Sequence, residues 1–144
     1  IIHSLVEYQD RSMIAQLGLP DMRTPISYAM RYPGRLPLDL PSLDLTEIAK
    51  LTFCKPDHDR FPCLGLGYES LRIGGTMPAT MNAANEIAVE AFLNGGIRFT
   101  DIAEIIRNTM DGHSPKDVET LEDALEADRW AREKAESLVV ALAR

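Results

Sequence analysis

The sequence predicts an α+β chain: a β-hairpin and a short helix, a proline-rich connection, then a four-helix bundle. Three observations carry that reading. Residues 1–17 hold two β-rich runs around a polar centre. Five of the nine prolines fall within residues 32–62, a density that excludes a long helix or a central strand. Beyond Phe61, apolar residues recur at helical spacing in four segments parted by glycine-bearing breaks.

The hairpin comes first. "HSLVEY" and "SMIAQL" have strand length and composition, and "QDRS" between them is turn-like. Strict alternation would put Ile1, His3, Leu5 and Glu7 on one face and Ile2, Ser4, Val6 and Tyr8 on the other. Gly18 and Pro20 stop the second strand. Thr24 as N-cap and Pro25 as first helical residue open a helix to about Arg31, which Pro33-Gly34 ends. Within the connection, "KLTFC" is the one short strand.

The four later helices follow from their stripes. The first covers 62–73 and stops at Gly74-Gly75, although Gly65 and Gly67 are poor helix formers. The second runs from about Pro78 to Leu93 with Ala84, Ile87, Ala88, Ala91 and Phe92 inward. Thr100 and Asp101 open the third, which buries Ile102, Ile105, Ile106 and Met110. Thr120 with Asp123 resembles a capping box for the last, which runs to about Ala143 on a stripe of Leu121, Leu125, Ala131, Ala135, Leu138 and Leu142. Short connections favour an antiparallel arrangement.

Composition narrows function. The chain has 144 residues, net charge −7 and no run of basic residues, which argues against nucleic acid or an anionic membrane as partner. No apolar run is long enough to span a bilayer. Cys54 and Cys63 have neither zinc nor redox spacing and make no disulfide framework, so a cytoplasmic setting is expected. A start without Met, directly in a strand, reads as an internal segment of a longer chain.

Several stretches invite chemical readings. "LGLGYES" contains Gly-x-Gly but lacks the third glycine of a dinucleotide loop, so close helix packing is the plainer expectation. "PDHDR" sets His58 between two aspartates without a second ligand cluster and reads as a polar turn. Glu119, Glu122, Asp123, Glu126 and Asp128 read as a solvated helix face. Asn82 and Asn85 share a helical face and are expected to bond buried backbone groups. His3 alone is a hydrogen-bonded sheet histidine. "GLPDMRTP" is a strand-to-helix loop, a common place for ligand contacts, and Met22 there is a soft apolar side chain suited to a flat ring.

Four stretches together go further. "IIHSLVEYQDRSMIAQLGLPDMRTPISYAM", "LTFCKPDHDRFPCLGLGYES", "MNAANEIAVEAFLNGGIRFTDIAEII" and "ALEADRWAREKAE" resemble, in order, the carboxy-terminal part of the 1-deoxy-D-xylulose 5-phosphate reductoisomerase family. The resemblance implies an enzyme that rearranges 1-deoxy-D-xylulose 5-phosphate and reduces it with NADPH to 2-C-methyl-D-erythritol 4-phosphate, using Mg²⁺ or Mn²⁺, in non-mevalonate isoprenoid synthesis. It implies a homodimer, bacterial-cytoplasmic or plastid in a plant or alga. Residues 1–31 would be the end of its catalytic α/β domain, 32–57 a connection and 58–144 the carboxy-terminal helical domain. His3 matches the family's active-site histidine, Met22 the methionine on the nicotinamide ring, and Pro20 lies beside it next to substrate. The Rossmann-type NADPH domain, the acidic metal ligands, the phosphate pocket and the flap precede this segment in the family. No metal ligand is therefore expected here, and the chain alone is expected to be inactive. The rival reading is a non-catalytic helical interaction or scaffolding domain, which leaves the opening strand pair without a use. An unpaired strand edge at Ile1 to Tyr8 also predicts self-association.

Overall fold

The computed structural model describes residues 1–142, in two compact units, 1–53 and from Cys54 onward. The division falls inside the proline-rich segment.

The first unit begins with an antiparallel hairpin of β1 (Ile2–Glu7) and β2 (Met13–Leu17). Its turn is closed by Arg11 N–H to the Tyr8 carbonyl and Tyr8 N–H to the Ser12 carbonyl, both 2.9 Å. Arg11 has φ +72°, the left-handed residue that a three-residue hairpin loop demands. From Ser4 to Glu7 the ladder is regular, against Gln16 to Met13. It slips between Ile2 and Ser4, because Ile2 pairs with Leu17 and Ser4 already with Gln16. Two residues of β1 thus advance against one of β2, a bulge at His3. The plain alternation expected for the strand fails there.

α1 (Arg23–Arg31) follows β2. Thr24 is not its cap. The helix has already begun, and the carboxylate that satisfies its first free N–H is that of Asp21, whose Oδ1 accepts from Arg23 N at 2.8 Å. Pro33-Gly34 follows the end of α1 as expected. α2 (Leu45–Ile48) is a single turn that the prolines concealed, capped by Asp44 Oδ1 on Thr46 N at 2.7 Å. "KLTFC" forms no strand, for no partner strand lies against it among the described residues. No side chain of this unit is fully buried, and Leu5, Val6, Met13, Ile14, Met22 and Ile26 are all exposed.

The second unit holds α3 (Pro62–Ile73), α4 (Met77–Leu93), α5 (Phe99–Asp111) and α6 (Leu121–Leu142). α4 packs against the other three, and α5 also touches α3 and α6. The core joins Leu66, Met77, Ala84, Ala88, Ile97, Ile102, Ile105, Ile106, Met110 and Ala135. The isoleucine face of α5 is buried as its spacing predicts, each side chain contributing about 1.5–3 kcal/mol. On α6 Leu138 and Leu142 pack against the core as expected, Leu121 and Leu125 are exposed instead, and the fully buried stripe is the expected Ala131 and Ala135 joined by Ala127. Those small side chains at i, i+4 and i+8 let the helix backbone approach its neighbours closely. The expected end near Ala143 lies outside the described residues.

Caps explain the remaining boundaries. α5 starts at Phe99, ahead of the expected Thr100–Asp101 opening. Asp101 acts from inside the helix. Its carboxylate is almost fully buried and accepts Arg98 N–H at 2.8 Å and Arg98 Nη2 at 2.7 Å. At α6 the capping box forms, with Thr120 N–H to Asp123 Oδ2 at 2.7 Å and Asp123 N–H to Thr120 Oγ1 at 3.3 Å. Asn82 departs from expectation: it is exposed and bonds Glu86 Oε1 on its own helix at 3.1 Å, so it reaches no neighbouring backbone.

Candidate functional site

The three residues singled out in the sequence all fall in the first unit. His3 stands at the bulge, exposed, with Nε2 3.1 Å from the Gly18 carbonyl oxygen. A carbonyl only accepts, so Nε2 carries the proton. In a neutral imidazole Nδ1 is then a bare acceptor for a partner outside the hairpin. The Gly18 N–H donates to the Ile1 carbonyl at 3.0 Å, which ties the end of β2 to the start of β1. The bulge and this tie hold the histidine beside the strand that leads to Pro20 and Met22.

The loop between β2 and α1 is pinned at one point. Asp21 and Arg23 form a forked ion pair, Nε to Oδ1 at 3.0 Å and Nη2 to Oδ2 at 2.8 Å, while Arg23 N–H also donates to Oδ1. The Arg23 guanidinium and backbone N–H hold the Asp21 carboxyl down at about 2, so it is ionised at any ordinary pH. Between the two lies Met22, whose side chain is 69% exposed. Pro20 is exposed as well. The hairpin therefore carries an exposed imidazole and a soft apolar side chain near one end.

The other sequence candidates find structural roles. "LGLGYES" lies within α3, so its glycines cradle nothing. Close packing does not require them either: a Cβ at Gly67 would meet Met81 Cε at 3.8 Å, an ordinary contact. Among the described residues no three His, Cys, Asp or Glu side chains come together as a metal could use. The acidic run is engaged locally. Glu122 pairs with Arg129 at 2.6 Å, and Arg132 joins Asp128 at 2.7 Å to Glu86 at 2.6 Å.

A shallow groove of about 340 Å³ that no motif announces lies in the second unit, lined by Thr76, His113, Lys116, Asp123, Glu126 and Trp130 among others. Lys116 N–H donates to Thr76 Oγ1 at 3.1 Å, and that hydroxyl lies 2.8 Å from His113 Nε2. Burial, then the nearby Lys116 charge, push His113 below its ordinary value. The His113 and Trp130 rings meet at a tilt of 40° with centroids 5.0 Å apart. These contacts close the α5–α6 connection onto the turn before α4. Their signal in sequence is too dispersed to find, spanning positions 76 to 130.

Comparison with known proteins decides the family. Residues 17–134 match the model of the DXP reductoisomerase C-terminal domain. The chain belongs to that family. It is 56% identical over 139 residues to the 1-deoxy-D-xylulose 5-phosphate reductoisomerase of Geobacter metallireducens, covering 96% of this chain and 36% of the relative. Against that of Chlorobium phaeobacteroides the identity is 58%, with the same coverage. Among solved structures, the Zymomonas mobilis reductoisomerase in complex with NADPH matches with a TM-score of 0.87 and 48% identity, over 96% of this chain and 36% of that one. A reductoisomerase in complex with NADPH, fosmidomycin and magnesium matches with a TM-score of 0.88 and 42% identity, over 99% of this chain and 37% of that one. The chain thus corresponds to the carboxy-terminal part of DXP reductoisomerase and spans little more than a third of its relatives' length.

Proposed function

We propose that this chain is the carboxy-terminal part of an NADPH-dependent reductoisomerase that converts 1-deoxy-D-xylulose 5-phosphate to 2-C-methyl-D-erythritol 4-phosphate, with Mg²⁺ or Mn²⁺, as a cytoplasmic homodimer. In this reading residues 1–31 end the catalytic domain, 32–57 connect, and 58–144 form a four-helix scaffold. The observation that carries it is the family match over 17–134. Relatives nearly three times as long support placing metal, phosphate and most cofactor contacts in the preceding part. A first unit with no buried side chain agrees, since its apolar hairpin faces need a partner from elsewhere.

His3 supports substrate binding or proton handling through its Nδ1, the ring nitrogen not held by Gly18, and Met22 packs on the nicotinamide with Pro20 alongside. When bound, NADPH supplies hydride to the rearranged aldehyde. This chain's share is to shape one edge of the pocket and exclude water there. The test is NADPH consumption with substrate and Mn²⁺. The isolated chain is expected to show none. A full-length enzyme ending in this segment is expected to turn over, and to lose most of its activity with His3→Ala. Turnover by the verified isolated chain, or full activity in that variant, would sink the respective claim.

A further inference from the structure

The geometry points to a role for a residue that neither sequence nor comparison assigns. Met22 is an exposed, unbranched side chain with several rotatable bonds, and such a side chain presents a surface only if its backbone is fixed. Here the backbone is fixed from both sides. The Met22 carbonyl accepts Ile26 N–H at 3.2 Å, the first helical bond of α1. The residues flanking Met22 are locked together by the Asp21–Arg23 fork and by Arg23 N–H on the same carboxylate. The Asp21 carbonyl also accepts Thr24 N–H at 3.2 Å. An exposed ion pair adds little to stability. Four bonds to one half-buried carboxylate across a three-residue span instead set where the middle residue points.

We propose that Asp21 is a positioning residue for the cofactor: its fork with Arg23 holds Met22 so that the thioether meets the nicotinamide ring. The proposal rests on the reading of Met22 given above. Asp21 touches neither substrate nor cofactor and acts through its neighbour.

The test uses a full-length reductoisomerase ending in this segment and reads NADPH KM, substrate KM and kcat. Met22→Ala is expected to raise NADPH KM about two- to tenfold, the size of a sulfur–ring contact. Asp21→Ala should raise it comparably and leave substrate KM unchanged, and Arg23→Gln should match. In the double variant the effect should equal that of Met22→Ala alone, because Asp21 has no other route to the cofactor. Asp21→Asn keeps an acceptor for Arg23 N–H and serves if Asp21→Ala melts early. An unchanged NADPH KM in both Asp21 variants overturns the proposal, as do effects that multiply fully in the double variant. If Met22→Ala itself does nothing, the reading of Met22 falls and takes this one with it, an outcome the single variant reveals by itself.

Discussion

Thr80 lies on α4 with no exposure, and its Oγ1 has no hydrogen-bond partner among the described residues. A buried hydroxyl left unmatched costs about 1–3 kcal/mol. Valine has nearly the same shape, and its helix propensity is close to that of threonine. Thr80→Val should therefore stabilise the helical unit by about 1–2 kcal/mol, which in a unit of this size raises the midpoint by about 4–8 °C per kcal/mol. Thr109 is the matched control. It is equally buried, yet its Oγ1 donates to the Ile105 carbonyl at 2.8 Å. Thr109→Val should be neutral or cost up to about 1.5 kcal/mol. Thermal melts followed by Trp130 fluorescence isolate the effect, because the single tryptophan sits in α6. If valine at 80 lowers the midpoint, or both threonines respond with the same sign, the reasoning from an unmatched hydroxyl is wrong.

Two glycines should respond oppositely to alanine. Gly67→Ala is expected to stabilise α3 by about 0.5–1 kcal/mol, since the new methyl meets only Met81 at contact distance. Gly75→Ala should destabilise by at least about 1–3 kcal/mol, because φ is +53° and the Cβ runs into the Lys116 carbonyl. Thermal circular dichroism distinguishes them. Asp101→Ala removes the acceptor of Arg98 N–H and should cost about 1–2 kcal/mol in urea melts, with Asp101→Asn recovering part. For His113 the folded chain disfavours the charged form, so the unfolded chain takes the proton first. Stability of the helical unit should be flat above 6.5 and fall as pH drops below it, and His113→Gln should abolish that slope in melts across the range.

Legibility followed the strength of local signals. Ile102, Ile105, Ile106 and Met110 repeat at helical spacing and are bulky, so periodicity alone found them. On α6 the spacing found Ala131, Ala135, Leu138 and Leu142, whereas Leu121 and Leu125 extend the stripe into exposed turns and the buried Ala127 declares itself only through packing. Thr24-Pro25 has the sequence of a helix start, but the competing carboxylate of Asp21 begins the helix earlier. At the site, the residue types alone left His3 a sheet histidine and Pro20 a loop residue. Their functional reading comes from the resemblance, because residue type and spacing alone do not distinguish them from structural residues. The slip at His3 was invisible, since no glycine or proline marks it.

That slip makes the position of the imidazole a matter of arithmetic. β1 carries one residue more than β2 opposite the histidine. Deleting Ile2 or His3 would leave a tidy ladder of equal counts, more regular than the natural one. A histidine reinstalled at position 2 of that shortened strand would sit in a regular pair rather than at the bulge, with the surrounding chemistry unchanged. The irregularity is thus an address, and tidying the strand would erase it.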